Sequence, residues 1–228
     1  MTENKNEPMD QRLLDLYDEY AHGGMDRREF VRRAGALAVG GVSALALVES
    51  VLPRYADAET ISFNDPRIRA QFVEYPSYAP PVGSGRMKGY LVYPADAKGP
   101  LPAVLVIHEN RGLNPYIKDV ARRAAVQGFL ALAPDGLTPL GGYPGNDDYG
   151  RDLQRQLDPD KLEHDMIASA YYLRDLPESS GKLGAVGFCW GGTMTNKLAV
   201  AMGRDLAAAA PFYGAPPPPD QVGRIKAA

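Results

Sequence analysis

The sequence predicts an α/β fold, a doubly wound and mostly parallel sheet of the α/β-hydrolase type, on three observations. Short apolar runs alternate with helix-compatible stretches from residue 101 onward, the order that strand–helix–strand units produce. One run, 101–107 (Leu-Pro-Ala-Val-Leu-Val-Ile), is apolar without alternation, as a central parallel strand covered on both faces must be. A second, 183–188, leads into Gly187-Phe188-Cys189-Trp190-Gly191-Gly192 and then into a helix-compatible stretch, 192–202. At 228 residues and 45% apolar content, the chain can hold one ordinary domain with an appendage. The pattern divides it into an N-terminal helical arm, 1–60, and an α/β domain, 61–228.

Composition excludes several classes of function. A net charge of −3 gives no basic face for nucleic acid. Cys189 is the only cysteine, so there is no internal disulfide and no cysteine-based metal cluster. His22, His108 and His164 lack metal-ligand spacing. No metal or cofactor is expected.

In the arm, Leu13, Leu14, Leu16, Tyr17 and Tyr20 are spaced for one helical face. Asp26-Arg27-Arg28-Glu29-Phe30 follows, then a mildly apolar Ala- and Gly-rich run at 34–48, then Ala56-Asp57-Ala58 in the small-x-small form of a cleavage site. The whole resembles a twin-arginine export signal, which implies a periplasmic or exported protein and membrane contact through this segment. The apolar run is shorter than the roughly 20 residues that a bilayer-spanning helix needs. The alternative is an uncleaved helical arm on a cytoplasmic protein.

In the domain, 73–75 reads as a first edge strand and 87–93 as a second, which alternates and closes at Pro94. After the strand at 101–107 comes His108-Glu109-Asn110-Arg111-Gly112, and Asn114 or Pro115 opens a helix that runs over 116–127 and stops at Gly128. Residues 129–133 form the next strand. Residues 137–160 read as a long polar connection, a length that marks functional or disordered loops. A helix over 161–176, the strand 183–188, the helix 192–202 and a short strand over 207–213 complete the series.

The Gly187 to Gly192 segment has the form of a nucleophile elbow, with cysteine where serine usually stands. Flanking glycines allow a turn too tight for Cβ atoms, and the backbone N–H that follows the nucleophile points to where an oxyanion forms. A helix N-terminus also favours the thiolate. The competing reading, a small buried hydrophobe, is the ordinary fate of a lone cysteine.

Together with Leu-Val-Ile-His-Glu-Asn-Arg-Gly at 105–112, Ala-Pro-Asp-Gly at 133–136 and Pro-Phe-Tyr-Gly at 211–214, the elbow makes the chain resemble the dienelactone hydrolase family over residues 70–228. The resemblance implies hydrolysis of a small-molecule ester or enol lactone through an acyl-thioester on Cys189. It implies that Glu109 contacts the resting thiol and that the backbone N–H groups of Asn110 and Trp190 form the oxyanion hole. A carboxylate beside a thiol raises the thiol's pKa, so Glu109 is a peculiar neighbour. Its alternative is a solvated or salt-bridged loop residue, with Arg111 as partner. Arg151 and Arg155 are where a substrate carboxylate would be clamped, against the alternative of a solvated loop. The sequence does not choose between them.

The family's acid and histidine both follow the elbow. After Cys189 the 228 residues contain no histidine, and their only acids there are Asp205 and Asp220. The expectation is therefore a C-terminally truncated member that lacks the triad's acid and base and the last strands and helices, with its activity weakened or lost and the strand at 207–213 left as an open apolar edge. His108 is the one substitute base in reach, although a histidine at a strand end more often holds its loop by hydrogen bonds. His164 sits in a charged helix and reads as surface. A non-catalytic scaffold is the alternative function, and oligomeric state is left open.

Overall fold

The computed structural model describes residues 11–21, 25–37 and 59–228, in two units, Met1–Tyr55 and Ala56–Ala228. The apolar run beyond Leu37, the Ala56-Asp57-Ala58 site and His22 lie outside the described residues.

Among the described residues of the first unit are two helices, α1 (Gln11–Ala21) and α2 (Arg27–Ala36). Leu13 and Tyr20 from α1 bury against Phe30 and Ala34 from α2, with the Tyr20 and Phe30 rings stacked at 4.8 Å. Asp26 caps α2 by accepting the Glu29 N–H at 2.8 Å, so the paired arginines open a capped helix.

The second unit is built on six strands: β1 (Ile68–Pro76), β2 (Arg86–Pro94), β3 (Leu101–Ile107), β4 (Leu130–Asp135), β5 (Ser179–Phe188) and β6 (Ala208–Phe212). Their order in the sheet is β1-β2-β4-β3-β5-β6. The β1–β2 and β2–β4 pairs are antiparallel, and β4, β3, β5 and β6 run parallel. Four helices connect them: α3 (Pro115–Val126), α4 (Asp147–Gln154), α5 (Pro159–Arg174) and α6 (Trp190–Met202).

Strand parity explains the layers. Leu105 and Ile107 of β3, with Leu130 and Leu132 of β4, pack on Leu162, Met166 and Leu173 of α5 and Leu198 of α6. Their alternate neighbours, Val106, Ala131 and Ala133, pack on Ile117, Ala121 and Ala125 of α3. Successive side chains of a strand point to opposite faces, so an unbroken apolar run serves two helix layers at once. Strand β1 is longer than its predicted core, because exposed side chains stand on both of its faces, Arg69 and Gln71 on one and Phe72 and Glu74 on the other, so no clean alternation marks it.

One expectation is corrected. The 137–160 connection is not structureless: it contains a short 3₁₀ turn, Thr138–Leu140, and helix α4. Asn146 caps α4 by accepting the Tyr149 N–H at 3.0 Å. The inward face of this helix is Gly150, Arg151 and Leu153, so no apolar period announced it. The strand β6 stands at the edge of the sheet with its residues largely exposed, as expected, and a single residue bonds beside its start. Ala228 donates to the Ala207 carbonyl at 3.1 Å and accepts the Ala209 N–H at 2.9 Å, while Pro211 has no N–H to offer a further strand.

Candidate active site

Four segments converge at the carboxyl end of the parallel strands, and each is tied to another by a named contact. The turn from β5 into α6 carries Cys189, whose N–H donates to the carbonyl of Phe212, the last residue of β6, at 3.1 Å. The loop after β4 meets the loop after β3 where the Gly136 N–H donates to His108 Nε2 at 3.0 Å. The turn after β6 reaches the same loop, where the Tyr213 hydroxyl donates to Glu109 Oε1 at 2.7 Å.

Cys189 stands as an elbow requires. It is half-buried, holds φ 54 and ψ −117, and occupies the N-cap of α6 without a side-chain capping bond. A non-glycine residue in that region is strained by about 1–3 kcal/mol and persists only where its surroundings over-determine it. They do so here. A Cβ on Gly187 would overlap the Gly191 carbonyl, and a Cβ on Gly191 would overlap the carbonyl oxygens of Ile107 and His108. The helix therefore starts pressed against the end of β3. Trp190 is its first residue, whose N–H belongs to the group that a helix leaves without an internal partner.

His108 is fully buried and both of its nitrogens are engaged, Nε2 by Gly136 and Nδ1 as donor to the Glu109 carbonyl. Burial lowers its pKa from the ordinary 6.5, the two acids nearby notwithstanding. The ring lies on the Trp190 indole, with centroids 5.3 Å apart. It is a bolt between β3, β4 and the elbow, and its reading as a substitute base is set aside on that geometry. His164, half-buried on α5, bonds through Nδ1 with the Asp160 carbonyl and meets the Tyr78 ring edge-on.

Glu109 and Asn110 are half-buried in the loop beside the elbow. The predicted partner of Glu109, Arg111, is buried and bridged instead to Asp147 at 3.4 Å. Asp147 also accepts the Tyr143 hydroxyl at 2.7 Å, and burial followed by that carboxylate pushes the Tyr143 phenol pKa up. Asp135 receives the N–H groups of Leu137 at 3.1 Å and Tyr143 at 2.8 Å. This rim of acids and tyrosine fixes the loops around the site.

Arg151 and Arg155 do not lie on a free loop. Arg151 is buried within α4 and bridged to Asp148 at 3.2 Å, while Arg155, at the C-cap, is exposed and bridged to Asp152 at 3.1 Å. Each partner stands three residues earlier, as helical spacing allows. The structure brings α4 against the Arg111 carbonyl through Gly150, so Arg151 flanks the loop that carries Glu109 and Arg155 stands at the far end of the helix.

Tyr213, within the Pro-Phe-Tyr-Gly segment, is a site residue that the sequence reading leaves without a role. The usable signal was an aromatic with a hydroxyl at the end of a parallel strand, followed at once by glycine. Among the described residues no cluster of His, Cys, Asp or Glu could hold a metal ion, and no helix is long and apolar enough to cross a membrane.

Comparison with known proteins places this geometry in a family. The model described as the dienelactone hydrolase family matches residues 87–228, and one described as YqhI-like matches residues 1–39. YghX of Escherichia coli K12, named as a hydrolase fragment, is 58% identical over 118 residues, 52% of this chain and 98% of that protein. A Synechocystis protein named as a carboxymethylenebutenolidase is 34% identical over 145 residues, 57% of this chain and 54% of its own. The crystal structure of a Klebsiella pneumoniae protein named as a dienelactone hydrolase superposes with a TM-score of 0.56 at 30% identity, covering 64% of this chain and 60% of that one. The chain spans about half the length of the curated relatives named as carboxymethylenebutenolidases.

Proposed function

The chain belongs to the dienelactone hydrolase family, and from that premise we propose that it cleaves a small-molecule ester or enol lactone through an acyl-thioester on Cys189. The observation that carries the proposal is the elbow itself, a cysteine held at φ 54 between glycines that cannot bear a Cβ.

In the proposed reaction the thiol proton passes to the Glu109 carboxylate and the thiolate attacks the carbonyl carbon. The oxygen becomes an alkoxide, received by the N–H groups of Trp190 and Asn110. Collapse breaks the ester C–O bond, and the leaving oxygen takes up the proton from Glu109. Water then attacks the thioester carbonyl, the C–S bond breaks, the carboxylic acid leaves, and the proton that the water sheds returns the sulfur of Cys189 to its thiol. Among the described residues the histidine that lies against the elbow is His108, and both of its nitrogens are occupied, so that step runs without its help and slowly. Arg151 and Arg155 are the proposed anchors for a substrate carboxylate, each in exchange for its present aspartate.

Excess 4-nitrophenyl acetate is expected to release a burst of nitrophenolate stoichiometric with protein, followed by slow turnover, with an acetyl mass gain mapped to Cys189. The engagement of His108 favours a second reading, a non-catalytic scaffold. That reading predicts neither burst nor adduct, and their joint absence would sink the hydrolase.

For residues 1–60 we propose export, supported by the order Arg27-Arg28-x-Phe30, apolar run, small-x-small site. Fused to a reporter, this segment is expected to deliver it to the periplasm, and the paired substitutions Arg27→Lys and Arg28→Lys to stop it. Equal delivery by both forms would refute the assignment.

A further inference from the structure

Tyr213 has no part in the reaction proposed above, yet the turn around it is built under constraint. It is one of two non-glycine residues with positive φ among the described residues, at φ 40; the other is Cys189. Bulky side chains rarely adopt that conformation. Four contacts impose it, and all of them come from the elbow and α6. The Phe212 carbonyl receives the Cys189 N–H at 3.1 Å. The Ala215 N–H donates to Thr193 Oγ1 at 2.9 Å, and Asn196 Nδ2 donates to the Ala215 carbonyl at 2.9 Å. Gly214 packs so closely on Thr193 that a Cβ would overlap its backbone nitrogen. The turn is thus fastened to the element that carries the nucleophile, and its one long side chain crosses to the opposite loop.

We propose that Tyr213 is the positioning residue of the Cys189 and Glu109 pair: its phenol, donating to Oε1 at 2.7 Å, pins the carboxylate and draws off part of its charge, so that Cys189 ionises more readily. This rests on the reading of Cys189 as nucleophile. The sign follows from elementary electrostatics. A carboxylate opposes formation of a thiolate beside it, and a carboxylate with one oxygen committed to an O–H donor opposes it less. The donor itself is secure. Burial first, then the charges of Glu109 and Cys189, push the phenol pKa above the ordinary 10.0, so the proton stays on oxygen through the range near pH 8.5 where thiols ionise.

The test is the pH profile of Cys189 alkylation by iodoacetamide in the full chain, in Tyr213→Phe, in Glu109→Gln and in the double variant. Tyr213→Phe keeps the ring and loses only the hydroxyl, so its circular dichroism should match that of the parent. Its profile is expected to move up by about half a pH unit, about a threefold slower reaction at neutral pH. With Gln at 109 the same substitution should move nothing, because the charge it acts through is gone. A superimposable Tyr213→Phe profile overturns the proposal, as does an equal shift in the Glu109→Gln background. A parent thiol of ordinary reactivity counts against the nucleophile instead, and the difference between variants still decides Tyr213.

Discussion

Cys189→Ser is expected to lose the nitrophenyl ester burst almost completely, by about 100-fold or more, although serine is what most elbows of this form carry. The two nucleophiles differ in what they need. A thiol ionises near pH 8.5, within reach of a helix N-terminus, so the Glu109 carboxylate has only to receive its proton, whereas a hydroxyl is a far weaker acid and needs a stronger base during attack. General-base assistance is worth about 10²–10⁴-fold. The histidine nearest the elbow cannot give it, because Nε2 accepts from Gly136 and Nδ1 donates to the Glu109 carbonyl. Stopped-flow release of nitrophenolate from parent and Cys189→Ser protein at equal concentration measures the effect. A serine burst within threefold of the parent would mean that Glu109 takes the proton of a hydroxyl as readily as that of a thiol, and would overturn the argument.

Gly191→Ala is expected to cost about 3 kcal/mol or more of stability and to remove the burst with it. The added methyl would lie inside the carbonyl oxygens of Ile107 and His108. Both are backbone atoms at the end of β3, which is paired on both sides by β4 and β5, so neither can swing away as a side-chain tip would. Overpacking against side chains costs about 1–3 kcal/mol, and rigid backbone puts this site at or beyond the top of that range. Gly99→Ala is the control, since nothing lies within 4 Å of a Cβ there. Urea midpoints should separate the two variants sharply, with Gly99→Ala within about 0.5 kcal/mol of the parent. Similar midpoints for both would show that α6 can withdraw from β3 without penalty.

The central sheet and the elbow were legible because their physics is local. An unbroken apolar run such as 101–107 can only be a strand covered on both faces or a helix, and seven residues bounded by turn formers decide for the strand. Paired glycines between a strand and a helix have few other uses. Helix α4 was hidden because its buried face is a glycine, a single leucine and an arginine, the arginine compensated by Asp148. The pairing of Arg111 with Asp147 could not be foreseen without that helix. Tyr213 escaped for a different reason. Its partner Glu109 is 104 residues away, and only the convergence of β3 and β6 brings the two together. The bonding of Ala228 beside Ala207 and Ala209 is likewise a tertiary fact that no window of sequence contains.

The stack of Trp190 on His108 has a use beyond architecture. Trp190 is the only tryptophan of the chain, so all of its indole emission originates one residue from the nucleophile. An acyl group settling on Cys189, or a proton forced onto the buried imidazole at low pH, changes the surroundings of that one fluorophore while the 13 tyrosines stay dark to excitation at the indole's red edge. The protein thus carries its own label, and occupancy of the site can be followed in unmodified chain by light alone.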